Sequence, residues 1–352
     1  MPRIIDPKRS VLLLAITAIL QADPATSPTD PNTSLVIHVP KPIVIDKASV
    51  PKPPKLDIEG GNSTQIRSIH FSKRYPPGYT PLEERIAKRF AKTKSATTNH
   101  VGGVNAGRIA TYLRGPLLSL DEAKKRLQDA GFTILSTVPL TKKKDDHTLI
   151  VFTSEQLSTF AAKHHVEFLA DMHMDLDREH NQTTITNPLY LAKAFMGDHY
   201  EATIPQKTLE ALSAHIEGLR NSKEALKFEA LPHYRFMHGM PGYKEMDEVA
   251  LGDDLIAKLQ HNKHVAYLHK LPNGSVVAGM LFRRRTQKFP YRIGSQNAAL
   301  LPYPVLIKDN KAVILDPKYY IALMYPLLKM SQFMHISSIP DSIVREAGRL
   351  FR

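Results

Sequence analysis

The chain holds 16 histidines and 11 methionines but no cysteine, and several of the first two fall in tight groups. "DMHMD" sets Met172, His173 and Met174 side by side, and "FMHGM" adds Met237, His238 and Met240. A third group, "KMSQFMH", supplies Met330, Met334 and His335. On a strand, Met172 and Met174 share one face and His173 points the other way. Thioether with imidazole is the donor set that Cu(I) favours, so copper is the metal these groups would handle. The competing reading is packing, because Met fills irregular cores. His261, His264 and His269 in "HNKHVAYLH" would hold zinc only with further ligands from elsewhere.

The densest basic stretch is "FRRRTQKFPYR", with Arg283, Arg284, Arg285, Lys288 and Arg292 interleaved with Phe289 and Tyr291. Arg recognises carboxylate and phosphate through two parallel hydrogen bonds, so the stretch suits an anionic ligand or an acidic partner. The competing reading is an outer strand kept soluble by its charge. Asp171, Asp175 and Asp177 alternate along one segment. They offer oxygen ligands for Ca²⁺, but no Gly stands where an ion loop would bend, and a solvated strand is the expectation. The phosphate-binding, dinucleotide-binding and nucleophile-elbow motifs are all missing. The balance of features points to binding, not catalysis.

The bulk numbers set the frame. The 352 residues carry 47 bases against 34 acids, a formal charge of +13. Such a surface attracts anions: an acidic protein, an anionic small ligand or a membrane surface. Nucleic acid is not the expected partner, since no recognition module accompanies the charge and Trp is absent. Without cysteine there are no disulfides, thiolate chemistry, iron–sulfur clusters or Cys-linked haem. Arg3, Lys8 and Arg9 precede the ten-residue apolar run "VLLLAITAIL", and Ala22 follows as a small residue. This is the layout of a signal peptide over 1–22, with a buried helix or an uncleaved anchor as alternatives. The expected location is periplasmic or secreted, in a bacterium. Eight prolines between 23 and 60 make an extended spacer, and 61–115 reads as a basic N-terminal extension.

From Ser119 the pattern sharpens into elements that would position these residues. "SLDEAKKRLQDAG" has Ser at its cap, Glu at the third position and Gly past its end, as a helix requires. The order after it is strand, strand, helix, strand, strand, and a helix opened by Asn187-Pro188. A connecting helix and an aromatic-rich strand fill 204–250. A second run begins at Gly252, with hairpins across "PNG" and "KDNK" and a closing helix opened by Asp316-Pro317. The expected fold is α+β, with two tandem related α/β sandwich units at 116–203 and 251–352. Each has a mostly antiparallel sheet and two to three helices. The two would pack as a pseudo-two-fold pair with a cleft between them.

The Leu301-Pro302 pair opening one strand, with Asp316-Pro317 after the next, resembles the bacterial domain-of-unknown-function family numbered 302. The first unit keeps only Asn187-Pro188. The resemblance covers about 85 to 100 residues per unit. It implies a small α+β fold and transfers no catalytic residue.

Overall fold

The computed structural model describes residues 100–141 and 144–352. The segments expected to be a signal peptide and a spacer, and most of the expected basic extension, lie outside the described residues. All of those described belong to one compact unit.

Three short strands come first: β1 (Val104–Asn105), β2 (Arg108–Ala110) and β3 (Tyr112–Pro116). Helix α1 (Leu120–Asp129) starts where the Ser119 hydroxyl accepts the Glu122 N–H at 3.2 Å, and Gly131 leaves it at φ +83°. Strands β4 (Thr133–Thr141) and β5 (Lys144–Thr153) follow, then α2 (Glu155–Lys163), capped by Ser154. Strands β6 (Met172–Asp177) and β7 (Gln182–Thr186) lead into α3 (Pro188–Met196), and α4 (Thr203–His215) packs against it. Two short strands, β8 (Arg220–Asn221) and β9 (Ala225–Lys227), precede β10 (Met246–Leu251).

The second half runs α5 (Leu255–Gln260), β11 (Val265–Lys270), β12 (Val276–Met280), and two helical turns, α6 (Arg284–Gln287) and α7 (Pro290–Ile293). Strands β13 (Tyr303–Lys308) and β14 (Lys311–Leu315) come next. Their two-residue turn puts Asp309 and Asn310 at φ 50° and 59°, the left-handed region these residues tolerate best after Gly. Helices α8 (Pro317–Met324), α9 (Met330–His335) and α10 (Ile339–Gly348) end the chain.

The strands form a six-stranded sheet in the order β4-β5-β6-β7-β3-β8, a five-stranded sheet β10-β14-β13-β12-β11, and a small sheet β1-β2-β9. Every pairing is antiparallel. The architecture is α+β, as expected. Five strands of each large sheet follow one pattern: the first in sequence lies beside the last, and the four that follow the helix lie in chain order. Strand β3, assigned from sequence to the extension, sits inside the first sheet between β7 and β8. Segment 228–245 departs from the expected strand. It holds a 3-10 turn over Phe228–His233 and irregular chain around Pro241-Gly242, where proline removes ladder donors. At Gly279 the ring of Tyr267 lies 2.2 Å from where a Cβ would be, so only Gly permits this strand contact.

The two sheets are bound reciprocally. The 3-10 turn Glu167–Leu169 of the first half packs on β13, and the turn Ser295–Leu300 of the second packs on β6 and β7. The inner faces of the closing helices meet too: the Tyr190 hydroxyl donates to the Leu323 carbonyl at 2.6 Å.

Asn187 and Asp316 both cap helices that open on Pro, but they differ in cost. Asn187 is fully buried; it accepts the Leu189 N–H and donates to the carbonyls of Gly102 and Ala110 at 2.9 and 2.8 Å. Asp316 accepts the N–H groups of Lys318 and Tyr319 and is partly exposed. Urea unfolding should show Asn187→Ala losing about 3 kcal/mol, because two buried carbonyls are stranded, and Asp316→Ala losing about 1 kcal/mol.

Candidate functional site

Strand β6 presents Met172 and Met174 on one face, and His173, Asp175 and Asp177 on the other. Both faces are covered, so all six residues of the strand are buried. This corrects the expectation of a solvated strand for the three aspartates: Asp171, Asp175 and Asp177 are 5%, 0% and 0% exposed. Buried carboxylates require partners, and each finds a histidine.

Asp175 and Asp177 converge on His147 of β5. His147 Nδ1 donates to Asp175 Oδ2 at 2.8 Å. Its Nε2 stands 3.4 Å from Glu179 Oε2 and 3.7 Å from Asp177 Oδ1. Donors outside this ring hold the acids in place. Ser295 donates to Glu179 at 2.6 Å, Tyr291 to Asp146 at 2.8 Å, and Gln182 and His180 to Asp177. Burial works to depress the His147 pKa, but the Asp175 hydrogen bond, the charges of Asp175 and Asp177, and Glu179 outweigh it and raise the value to about 9. Burial lifts Asp175 to about 6 against the pull of His147. The Ser295 hydroxyl, more than His147, holds Glu179 below the usual carboxylate range. Near neutral pH, His147 is therefore an imidazolium set among carboxylates. A cavity of about 490 Å³ lined by Asp145, Asp146, Arg178 and Glu179 opens beside it.

A second histidine–carboxylate contact crosses the seam. His269 of β11 bonds Asp171 through Nδ1, and its Nε2 lies 3.1 Å from Ser158 Oγ. The order Ser–His–Asp is that of an acyl-transfer relay. Here, however, Ser158 sits inside α2, only 7% exposed, with its hydroxyl also 2.9 Å from the Ser154 carbonyl and 3.0 Å from Thr153 Oγ1. The neighbouring cavity, lined by Asp171 and His173, is about 10 Å³, room for roughly one water. The triplet fastens the halves together and offers a substrate no way in.

The basic stretch forms neither a strand nor an isolated surface run. It makes the two turns α6 and α7, and Arg283, Arg285 and Lys288 line a groove of about 1350 Å³. Val138, Pro139 and Thr141 of β4 form the other wall, so the groove lies at the seam. Lys263 and Arg349 add two more bases, and Phe282 and Leu281 add apolar surface. Glu346, the one acid in the lining, accepts the Arg283 N–H at 2.8 Å and the Thr286 hydroxyl at 2.6 Å, which fixes the turn. Arg284 opens α6, and Arg292 is exposed on α7 outside the groove lining.

The residues expected to hold copper are divided by burial. Met172, His173 and Met174 are 0%, 5% and 0% exposed, and His173 donates to the Ala299 carbonyl at 3.0 Å. Met237 is 39% exposed, His238 is exposed and Met240 is half-buried. The packing reading therefore describes Met172 and Met174: a thioether sealed in a core does not meet an ion arriving from water. Sequence spacing hid the His147 cluster because its members come from β5, β6 and the turn after it. The alternation of Asp175 and Asp177 was its one visible sign.

No protein-family model matches the chain, and neither the curated proteins nor the solved structures contain a match to it. Among the described residues, no helix is long and apolar enough to cross a membrane.

The raised His147 pKa gives a pH signature. The groups facing the ring are Asp146, Asp175, Asp177, Glu179 and Tyr291. A histidine whose folded pKa lies above its unfolded value stabilises fully below about 6.5, and that contribution is lost as pH rises through about 9. Thermal melts of chelator-treated protein should fall between those limits, and His147→Gln should flatten that part of the curve.

Proposed function

We propose that this protein is an exported binding or accessory protein whose two related halves form a seam groove for an acidic partner. The observation that carries the reading is the clustering of Lys263, Arg283, Arg285, Lys288 and Arg349 around a single concavity whose one lining acid, Glu346, is engaged by the Arg283 N–H and the Thr286 hydroxyl. An apolar floor with a cationic rim suits a ligand that brings both carboxylates and nonpolar surface, as an acidic protein segment does. The formal charge of +13 would speed such an encounter. Export rests on the basic start and the apolar run Val11–Leu20. Divergent tandem duplication rests on the shared strand order and on the Asn187-Pro188 and Asp316-Pro317 helix starts. The family resemblance through Leu301-Pro302 is consistent with both.

The reading is tested with a fluorescent acidic peptide of alternating Glu and Leu, read by anisotropy. Arg285→Ala with Lys288→Ala should weaken binding by about tenfold or more, and affinity should fall steeply with salt. Arg220→Ala with Lys223→Ala, away from the groove lining, should leave it unchanged. Equal loss in both double variants would reduce the effect to general surface charge. Vesicles rich in phosphatidylglycerol, run in parallel, separate a membrane surface from a protein partner.

A further inference from the structure

We infer that His147, Glu179 and Asp146 form a binding site for a divalent metal ion of the zinc class. The site is separate from the seam groove and does not depend on the anion reading.

Four features of the geometry support it. The first is spacing. Ligand atoms around a tetrahedral zinc at about 2.0–2.1 Å lie about 3.4 Å from one another. His147 Nε2 is 3.4 Å from Glu179 Oε2 and 3.7 Å from Asp177 Oδ1. One ligand atom each from Asp146, His147 and Glu179 also falls within 4.8 Å of the others. The atoms of Asp146, His147 and Glu179 would close on one ion by drawing together by about 1.4 Å or less.

The second is the arrangement behind the histidine. Nδ1 donates to a fully buried carboxylate, Asp175, which orients the ring and turns Nε2 toward the other acids; the ion takes the place of the Nε2 proton, which is released to solvent. Carboxylate, histidine and metal in that order recur in protein metal sites, because the carboxylate fixes the tautomer and raises ligand basicity. The outer donors Ser295, Tyr291 and Gln182 hold the remaining carboxylates in the same way.

The third observation is independent of the ring's own hydrogen bonds. Asp175 has no exposed surface, yet its Oδ1 has no hydrogen-bond partner among the described residues. A buried carboxylate oxygen is costly without compensation. Asp146, Asp175, Asp177 and Glu179 place four carboxylates beside two imidazoles, His147 and His180, and a divalent cation would add positive charge there. The fourth is access. Asp146 and Glu179 line an open surface depression with Asp145 and Arg178, so two of the three ligands meet solvent while His147 lies buried behind them. A nitrogen ligand among carboxylates favours zinc over calcium, which takes oxygen ligands.

The test uses the untagged full-length chain, stripped with chelator and titrated with zinc chloride against a competing chelator dye, with calcium as control. Bound metal is counted by elemental analysis, and Co²⁺ absorption reports a nitrogen–oxygen environment. About one zinc per chain is expected. Glu179→Gln should weaken it by about tenfold or more, with the circular dichroism spectrum unchanged, because Glu179 is partly exposed. Asp146→Asn serves as a second variant outside the buried core. Wild-type protein that takes up no stoichiometric zinc overturns the inference. So do variants that bind as wild type, since the metal would then lie elsewhere on the chain.

Discussion

A sheet whose two faces are both covered must satisfy every polar side chain it carries, and the six-stranded sheet carries many. His147, His173, Asp175, Asp177, Gln182, Thr184, Thr186 and Arg114 share one face of β5, β6, β7 and β3. A bare polar face of this kind costs far more than it returns unless partners meet it. The second half supplies several of them. Arg114 donates to Asn297 Oδ1 at 2.7 Å and pairs with Glu224 at 3.2 Å. Tyr112 donates to the carbonyls of Asn297 and Met324, and His173 to that of Ala299. The chain from Tyr291 to Leu301 is therefore shaped by what the first sheet needs, and the groove bases just before it inherit that placement. Lys308 returns the favour by pairing with buried Glu167 at 2.8 Å.

Much of this fold was legible in the chain because its signals are local. Ser119, Ser154, Asn187 and Asp316 cap the helices expected of them, since a cap is a choice made between residues two or three apart. The turns Pro272-Asn273-Gly274 and Asp309-Asn310 are equally local, and both hairpins form. Strand β3 escaped because its five residues lack alternation and its partners lie about 70 and 110 positions away. Segment 228–245 misled because aromatic residues favour strands on average, and tertiary packing of Tyr243 against Phe195 overrode that preference.

The chemistry was less legible than the fold. Alternating aspartates read as one face of a strand, but nothing in the spacing says whether that face meets water or another layer. The deciding residue, Glu179, stands after the strand, and His147 stands 28 positions before Asp175. The basic stretch fared better. Density of charge is visible in sequence, and only the concavity around it needed three dimensions. The methionines show the reverse: grouping in sequence became separation in space, since a strand hides its side chains in a core while the loop at Met237 leaves them outside.

The reciprocal turns have a consequence for how the chain folds. His173 finds its partner 126 residues further on, and Tyr112 finds its two at 185 and 212. Contacts this remote in sequence are slow to form, because loop-closure entropy must be lost before they return anything. An emerging chain that stops before Met324 leaves the inner face of the first sheet open, with Tyr112, Arg114 and His173 lacking their partners from the second half. The first half therefore cannot complete its fold ahead of the second, as N-terminal domains commonly do during synthesis. The contacts that join the halves form only after nearly the whole chain has been made.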